Sequence, residues 1–139
     1  MITVNPYLTF NGNCEEAFNH YKKVFGGEFE AKQHFRDEPG SKHPPGEAEK
    51  ILHVSLPLSK GYMLMGSDRA ASMKNGSMGD NMTLSLNVGS KSEADKIFKG
   101  LADGGKITMP MADTFWGSYF GMVNDRFDVQ WMVSFSESR

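Results

Sequence analysis

"YLTFNGNCEEAFNHYKKVFGGEFEAKQ" (residues 7–33) decides the fold, because the chain writes it a second time as "MTLSLNVGSKSEADKIFKGLADGGKITMPM" (residues 82–111). Glu16-Ala17 recurs as Glu93-Ala94, and Tyr21 recurs as Phe98 at the same offset. Gly26-Gly27 recurs as Gly104-Gly105 after a one-residue slip. Each copy runs from a short alternating segment through a helix to a Gly-Gly stop and a second extended segment. Two copies are too few for a solenoid and suit a pseudo-symmetric domain of paired modules.

The helices follow from local chemistry. In the first copy Asn13 is placed to cap, with Glu16 three residues on to reach back to it. Ala17, Tyr21, Val24 and Phe25 fall on one face, and Gly26-Gly27 ends the helix by permitting a left-handed residue. In the second copy Ser90 or Ser92 caps, Ala94, Ile97, Phe98, Leu101 and Ala102 form the apolar stripe, and Gly104-Gly105 closes it.

Elsewhere the chain alternates with period two, as half-buried strands do. "ILHVSLPL" sets Leu52, Val54, Leu56 and Leu58 against His53 and Ser55, and "MTLSLNV" sets Leu84, Leu86 and Val88 against Thr83, Ser85 and Asn87. "GYMLMGS" is a further strand. In "DVQWMVSF", Val129, Trp131, Val133 and Phe135 oppose Gln130, Met132 and Ser134. Each module therefore reads β-α-β-β-β. The helices cover one face, and the mildly polar second face suits the lining of a cavity. One domain results, with module one over about residues 1–66, a linker over about 67–80 and module two over about 81–139. "RDEPGSKHPPGEAEK" (36–50) and "GSDRAASMKNGSMGD" (66–80) read as loops, of a length often used for lids or binding loops.

Bulk properties narrow the classes. The chain has 139 residues, 39% hydrophobic and 23% charged, which suits one soluble domain with a full core. The net charge is −2 with both signs scattered, so no basic face for nucleic acid emerges. No apolar run approaches the roughly 20 residues of a membrane helix, and "MITVNPYLTF" lacks the order of a signal peptide. A single cysteine, Cys14, excludes an internal disulfide and fits a reducing cytoplasm. Ten Met are many for this length, and thioethers mould to core gaps or to apolar ligands.

"PYLTFNGNCEEAFNHYKKVFGGE", "MLMGSD" and "DTFWGSYFGMVNDRFDVQWM" resemble the opening, middle and closing signatures of the PhnB-like branch of the glyoxalase/bleomycin-resistance/extradiol-dioxygenase group, the vicinal oxygen chelate superfamily. The resemblance covers nearly the whole chain. It implies an α+β fold of two βαβββ modules whose eight strands curl into a barrel-like sheet around a cavity, helices outside, and it implies a homodimer. "NDRFD" is then the turn between the last two strands. Arg126 and Asp128 stand where the family usually has Pro and Gly, and Asp is among the few residues that tolerate a left-handed backbone.

Metal-dependent members of the superfamily hold a divalent ion with His and Glu from four inward strand positions. Carried over one at a time, those positions fall at Asn5 or Pro6, at Met63 or Met65, at Thr83 and at Met132. None is His, Glu or Asp, so the expectation is no metal and no cofactor. Without the ion, the lyase, isomerase and dioxygenase mechanisms lose their electrophile. His20, His34, His43 and His53 share no metal-binding spacing. His34 and His43 read as solvated, and His20 as surface or interface. A relocated ion on His53, Asp68 and a loop residue is the alternative.

The candidate ligand-binding residues are His53, Met63, Met65, Asp68, Ser85, Trp116, Tyr119, Gln130 and Met132, with Asn87 as a further polar contact. His53 is the one candidate for catalysis, since imidazole exchanges a proton near neutral pH. Asp68 is expected at the cavity rim, as a ligand acceptor or as the cap of the following turn. Trp131 belongs to the core face. Cys14 lies in the first helical turn, where the dipole lowers a thiol pKa. No G-x-S-x-G elbow and no Gly-rich phosphate loop occurs. "KNGSMGD" lacks the strand–helix context of a nucleotide loop, so the methyltransferase label sometimes attached to this branch finds no support here. Three functions follow. The first is a metal-free binder of an apolar or aromatic small molecule. The second is a glyoxalase- or dioxygenase-type enzyme using a relocated metal or His53 as base. The third is a dimeric interaction module.

Overall fold

The computed structural model describes residues 1–40, 46–70 and 75–137. His43, and parts of both long loops, lie outside the described residues. The chain divides into two compact units, residues 1–77 and 78–139.

The first unit runs β1 (Tyr7–Phe10), α1 (Cys14–Phe25), β2 (Ala31–His34), a 3-10 turn (Phe35–Asp37), β3 (Ile51–Ser59) and β4 (Tyr62–Asp68). The second runs β5 (Leu84–Asn87), α2 (Lys91–Ala102), β6 (Lys106–Asp113), β7 (Tyr119–Asn124) and β8 (Gln130–Phe135). The repeat is thus a repeat of topology. The sheet orders are β1-β4-β3-β2 and β5-β8-β7-β6, each with one parallel pair at its edge. Among the described residues the eight strands hydrogen-bond as two sheets of four, and no closed barrel forms.

The two helix starts differ. Ser90 accepts from Glu93 N at 3.0 Å, as expected of the α2 cap, while Glu93 Oε1 accepts from Gly89 N at 2.9 Å, one residue before the cap. Asn13 makes no side-chain cap bond. The buried carboxylate of Asp68, from the end of β4, caps α1 instead, accepting from Gly12 N at 2.9 Å and Cys14 N at 3.0 Å. β4 therefore extends through a residue the sequence pattern gave to the loop.

The apolar stripe of α1 buries Ala17, Phe18 and Tyr21, with Val24 and Phe25 only half-buried. Phe18 lies over Gly66, where an added Cβ would meet its ring at 2.7 Å and Leu8 O at 2.8 Å. The helix can approach β4 this closely only because residue 66 has no side chain. α2 buries Ala94, Phe98 and Leu101 against its sheet. Each such Leu or Phe contributes roughly 1.5–3 kcal/mol on leaving water.

Parity along β3 holds from His53 onward but breaks before it. Gln33 pairs with His53 and His34 with Ile51, so Leu52 is the extra residue of a bulge. Ile51, rather than Leu52, is therefore fully buried with Val54 and Leu56.

The 113–133 stretch mixes aromatics and polar residues for a structural reason. Asp125, 2% exposed, accepts from Phe127 N at 2.8 Å and Val129 N at 3.1 Å, and its second oxygen accepts from Trp131 Nε1 at 2.9 Å. One carboxylate thus closes the β7–β8 turn and fixes the largest core side chain. Arg126 ties that turn to the end of α2, donating to Asp103 O at 3.1 Å. Asp128 takes a left-handed φ of 66°, which costs a non-glycine residue about 1 kcal/mol. Asp128→Gly removes that cost but loosens the unfolded chain. The expected net gain is about 0.5 kcal/mol, read as a higher urea midpoint at unchanged slope.

Candidate functional site

Alternation assigns one face of each sheet to its helix and leaves the other free of helix. On the first sheet the second face carries Tyr7, Gln33, His53, Ser55, Met63 and Met65. Met65 pairs with Tyr7 on one side and Ser55 on the other, Met63 with Pro57, and Gln33 with His53. His53 is bracketed by hydroxyls, with Tyr7 Oη 3.3 Å from Nδ1 and Ser55 Oγ 2.8 Å from Nε2. Met63 N donates to Asn5 Oδ1 at 3.2 Å, so the Asn5 amide extends the edge pairing where β1 has not yet begun.

On the second sheet Ser85 pairs with Met132, Met132 with Met122, and Met122 with Met109. That row of one hydroxyl and three thioethers crosses all four strands. Gln130 flanks it but spends its amide on Met82 O at 2.7 Å. Ser134 Oγ donates to Asn87 Oδ1 at 2.8 Å.

Three expected contacts lie elsewhere. Asp68 is not at a rim. It is 5% exposed on the helix face of β4, and beyond the two α1 bonds its second oxygen accepts from Ile51 N at 2.9 Å. Tyr119 shares parity with Val123, on the α2 side. Its hydroxyl donates to Asp95 Oδ1 at 2.6 Å, a bond that holds its pKa above the ordinary tyrosine value. The Lys91 ammonium, which also pairs with Asp113 at 3.0 Å, sits 5.0 Å from the ring centroid. Tyr119, Lys91 and Asp113 line a cleft of about 480 Å³ with Thr114, Ser118 and Phe135. Trp116, 57% exposed, stands at the β6–β7 tip beside Phe120 at 5.8 Å, with Phe115 98% exposed at 5.1 Å.

Two further readings change. Cys14 is fully buried, and burial together with the Asp68 and Glu15 charges pushes its thiol far up, against the helix-dipole expectation. A thiol held protonated and shielded is a poor nucleophile. Native protein should therefore resist a maleimide, labelling only in denaturant. Labelling of the native state within minutes would contradict this placement. His34, expected in solvent, lies with Nε2 3.4 Å from Glu15 and Nδ1 3.7 Å from Asp37.

The donor set does not fit the superfamily's metal. The carried-over positions present amide or proline, thioethers and hydroxyl, which hard or borderline divalent ions bind weakly. His53 and Asp68 project from opposite faces of one sheet, so they do not share an ion. Among the described residues, no three His, Cys, Asp or Glu side chains gather as a metal-holding group. Among the same residues no helix is long and apolar enough to cross a membrane.

Units of this build, a four-stranded sheet of βαβββ connectivity under one helix, are those of the glyoxalase/bleomycin-resistance/dioxygenase fold. A family model described as 3-demethylubiquinone-9 3-methyltransferase matches residues 2–134. The chain belongs to that family, the PhnB-like branch of the vicinal oxygen chelate superfamily. It is 34% identical over 140 residues to Protein YjdN of Escherichia coli, covering 94% of this chain and 93% of that one. The crystal structure of protein PA1353 from Pseudomonas aeruginosa is 41% identical, with a TM-score of 0.86 and 98% of each chain covered. A Bacillus cereus structure described as a putative 3-demethylubiquinone-9 3-methyltransferase, PhnB protein, is 28% identical, with a TM-score of 0.78 over 97% of this chain and 100% of that one.

Sequence reasoning singled out His53, Met63, Met65, Ser85 and Met132. It missed Tyr7, Met109 and Met122. The signal for Met122 was present, since "YFGMVN" alternates in phase with the β8 partner.

Proposed function

We propose that this protein is a metal-free small-molecule binder, taking an apolar or aromatic ligand against the thioether- and hydroxyl-bearing faces of its sheets. One observation carries the reading: Met63 and Met65 lie on the helix-free face of the first sheet, and Ser85, Met132, Met122 and Met109 form a row across the second. Thioethers are polarizable and adapt to aromatic rings. Apolar surface with a few polar groups to fix orientation is the ordinary make-up of a ligand site. On this reading the two units act as one functional domain in the cytoplasm. The protein works as a homodimer, supported by the solvent-exposed Phe115 and Trp116. Sedimentation is expected to give a dimer, and a concentration-independent monomer would contradict it.

The test is a thermal-shift screen of aromatic compounds run beside zinc, nickel, manganese and iron(II). The binder reading expects stabilisation by at least one aromatic compound and none by the metals, since a ligand at 100 times its Kd stabilises by about 2.7 kcal/mol. Stabilisation by metal alone favours the second reading, an enzyme with a relocated ion. The methyl-transfer activity in the family description makes a third prediction, binding of a methyl-donor nucleoside, and the same screen includes it.

A further inference from the structure

Tyr7, His53 and Ser55 form a continuous hydrogen-bonded chain on the first sheet. Tyr7 Oη stands 3.3 Å from His53 Nδ1, and His53 Nε2 stands 2.8 Å from Ser55 Oγ. The Tyr7 and His53 rings lie with centroids 5.8 Å apart. Ser55 is buried and ends the chain on the inside, whereas Tyr7, 47% exposed on an edge strand, ends it on the outside. Met65 lies between Tyr7 and Ser55 in the pairing. Around His53 on this face stand Tyr7 of β1, Met65 and Ser67 of β4 and Gln33 of β2, none of them a carboxylate or an ammonium. Lys32 turns to the other face, where its ammonium meets Glu15 at 2.6 Å.

A neutral imidazole donates from one nitrogen only. In the tautomer in which the Tyr7 hydroxyl donates to Nδ1, Nε2–H donates to Ser55. The acceptor this chain then leaves at its outer end is the Tyr7 oxygen, which an incoming hydroxyl meets as donor. If that hydroxyl is acidic enough, its proton passes to Tyr7 Oη while Tyr7's own proton passes to Nδ1. No electrons move and no co-reactant is consumed. The products are an oxyanion held by the Tyr7 O–H and an imidazolium held by Ser55. Imidazole is a weak base, so the partner must be a hydroxyl far more acidic than an alcohol. An alkyl alcohol is far too weak, and a carboxylic acid arrives ionised with no proton to give. An aryl hydroxyl made acidic by its substituents meets the requirement, and its ring suits thioether sulfur.

We propose that Tyr7, His53 and Ser55 bind an acidic aryl hydroxyl as its oxyanion, with the ring against Met63 and Met65. This rests on the small-molecule-binding reading of the same face and names the class of molecule it takes.

The test titrates the intact protein into 4-nitrophenol, in buffer acidic enough that the free phenol is mostly colourless, with nitrobenzene as the hydroxyl-free control in equilibrium dialysis. The yellow nitrophenolate band is expected to grow to saturation with protein. Tyr7→Phe and His53→Gln should each cut it roughly tenfold or more while nitrobenzene binds as in the wild type, which also reports an intact fold. Tyr7→Phe alters only an exposed hydroxyl and keeps the test decisive if His53→Gln does not fold. Nitrobenzene binding with nitrophenol bound in its colourless form, or a band that survives Tyr7→Phe, overturns the proposal alone. If neither compound binds, this proposal falls, and the thermal-shift screen decides separately whether the reading it rests on falls with it.

Discussion

Asp68→Ala is expected to lower the unfolding free energy by about 3–4 kcal/mol, enough to unfold a marginal domain. The carboxylate accepts from Gly12 N, Cys14 N and Ile51 N, so its loss leaves three main-chain donors at the α1 start and the β3 start without acceptors. A buried donor left unsatisfied costs about 1–3 kcal/mol, and the sum is held below three such penalties because Gly12 is only part-buried. Asn retains one acceptor oxygen, so Asp68→Asn should lose about half as much. Urea unfolding followed by circular dichroism measures both. A loss under about 1 kcal/mol for Ala would mean that water replaces the carboxylate, and that α1 does not depend on β4 for its cap.

Asp125→Ala should destabilise by a similar amount, about 3–4 kcal/mol, through a different linkage. Its carboxylate serves two turn amides and the indole N–H of Trp131, the largest fully buried side chain. The β7–β8 turn and the packing of the second sheet should fail together. Trp131→Phe keeps most of the apolar volume and removes the indole donor. A cycle of Asp125→Asn and Trp131→Phe is therefore expected to show a coupling of about 1–2 kcal/mol, with the near-ultraviolet signal of Trp131 altered in Asp125→Asn alone. Strict additivity would show that the indole bond contributes nothing and that Asp125 is only a turn residue.

These two carboxylates mark where sequence reading stopped. The repeat was legible because it is local. An alternating run, an apolar stripe and a Gly-Gly stop each declare themselves within a dozen residues, and the period-two pattern put Trp131 on the core face. Asp68 and Asp125 instead act through bonds whose partners are set by folding. Asp68 reaches across 56 positions to Gly12, and no spacing rule links them. The Leu52 bulge was illegible for the same reason, being a property of how β3 meets β2. Phe18 was passed over on α1 because its burial depends on Gly66 of a distant strand. Within the candidate site, His53 followed from parity, Met63 and Met65 from the resemblance, and Met132 from both. Tyr7 did not, because its role depends on β1 pairing beside β4. Tyr119 shows the converse: its aromatic character suggested a ligand surface, and its strand parity, once counted from Val123, assigns it to α2.

By the resemblance, the corners that the superfamily keeps for a divalent ion fall at thioether, hydroxyl and amide or proline groups, and the proposed function requires that they hold none. Elemental analysis of protein expressed in metal-supplemented medium and purified without chelator tests it most directly. The account predicts transition-metal content far below one per chain, unchanged by Met65→Ala or Met132→Ala. One zinc, nickel, manganese or iron per chain, lost on those substitutions, would contradict it.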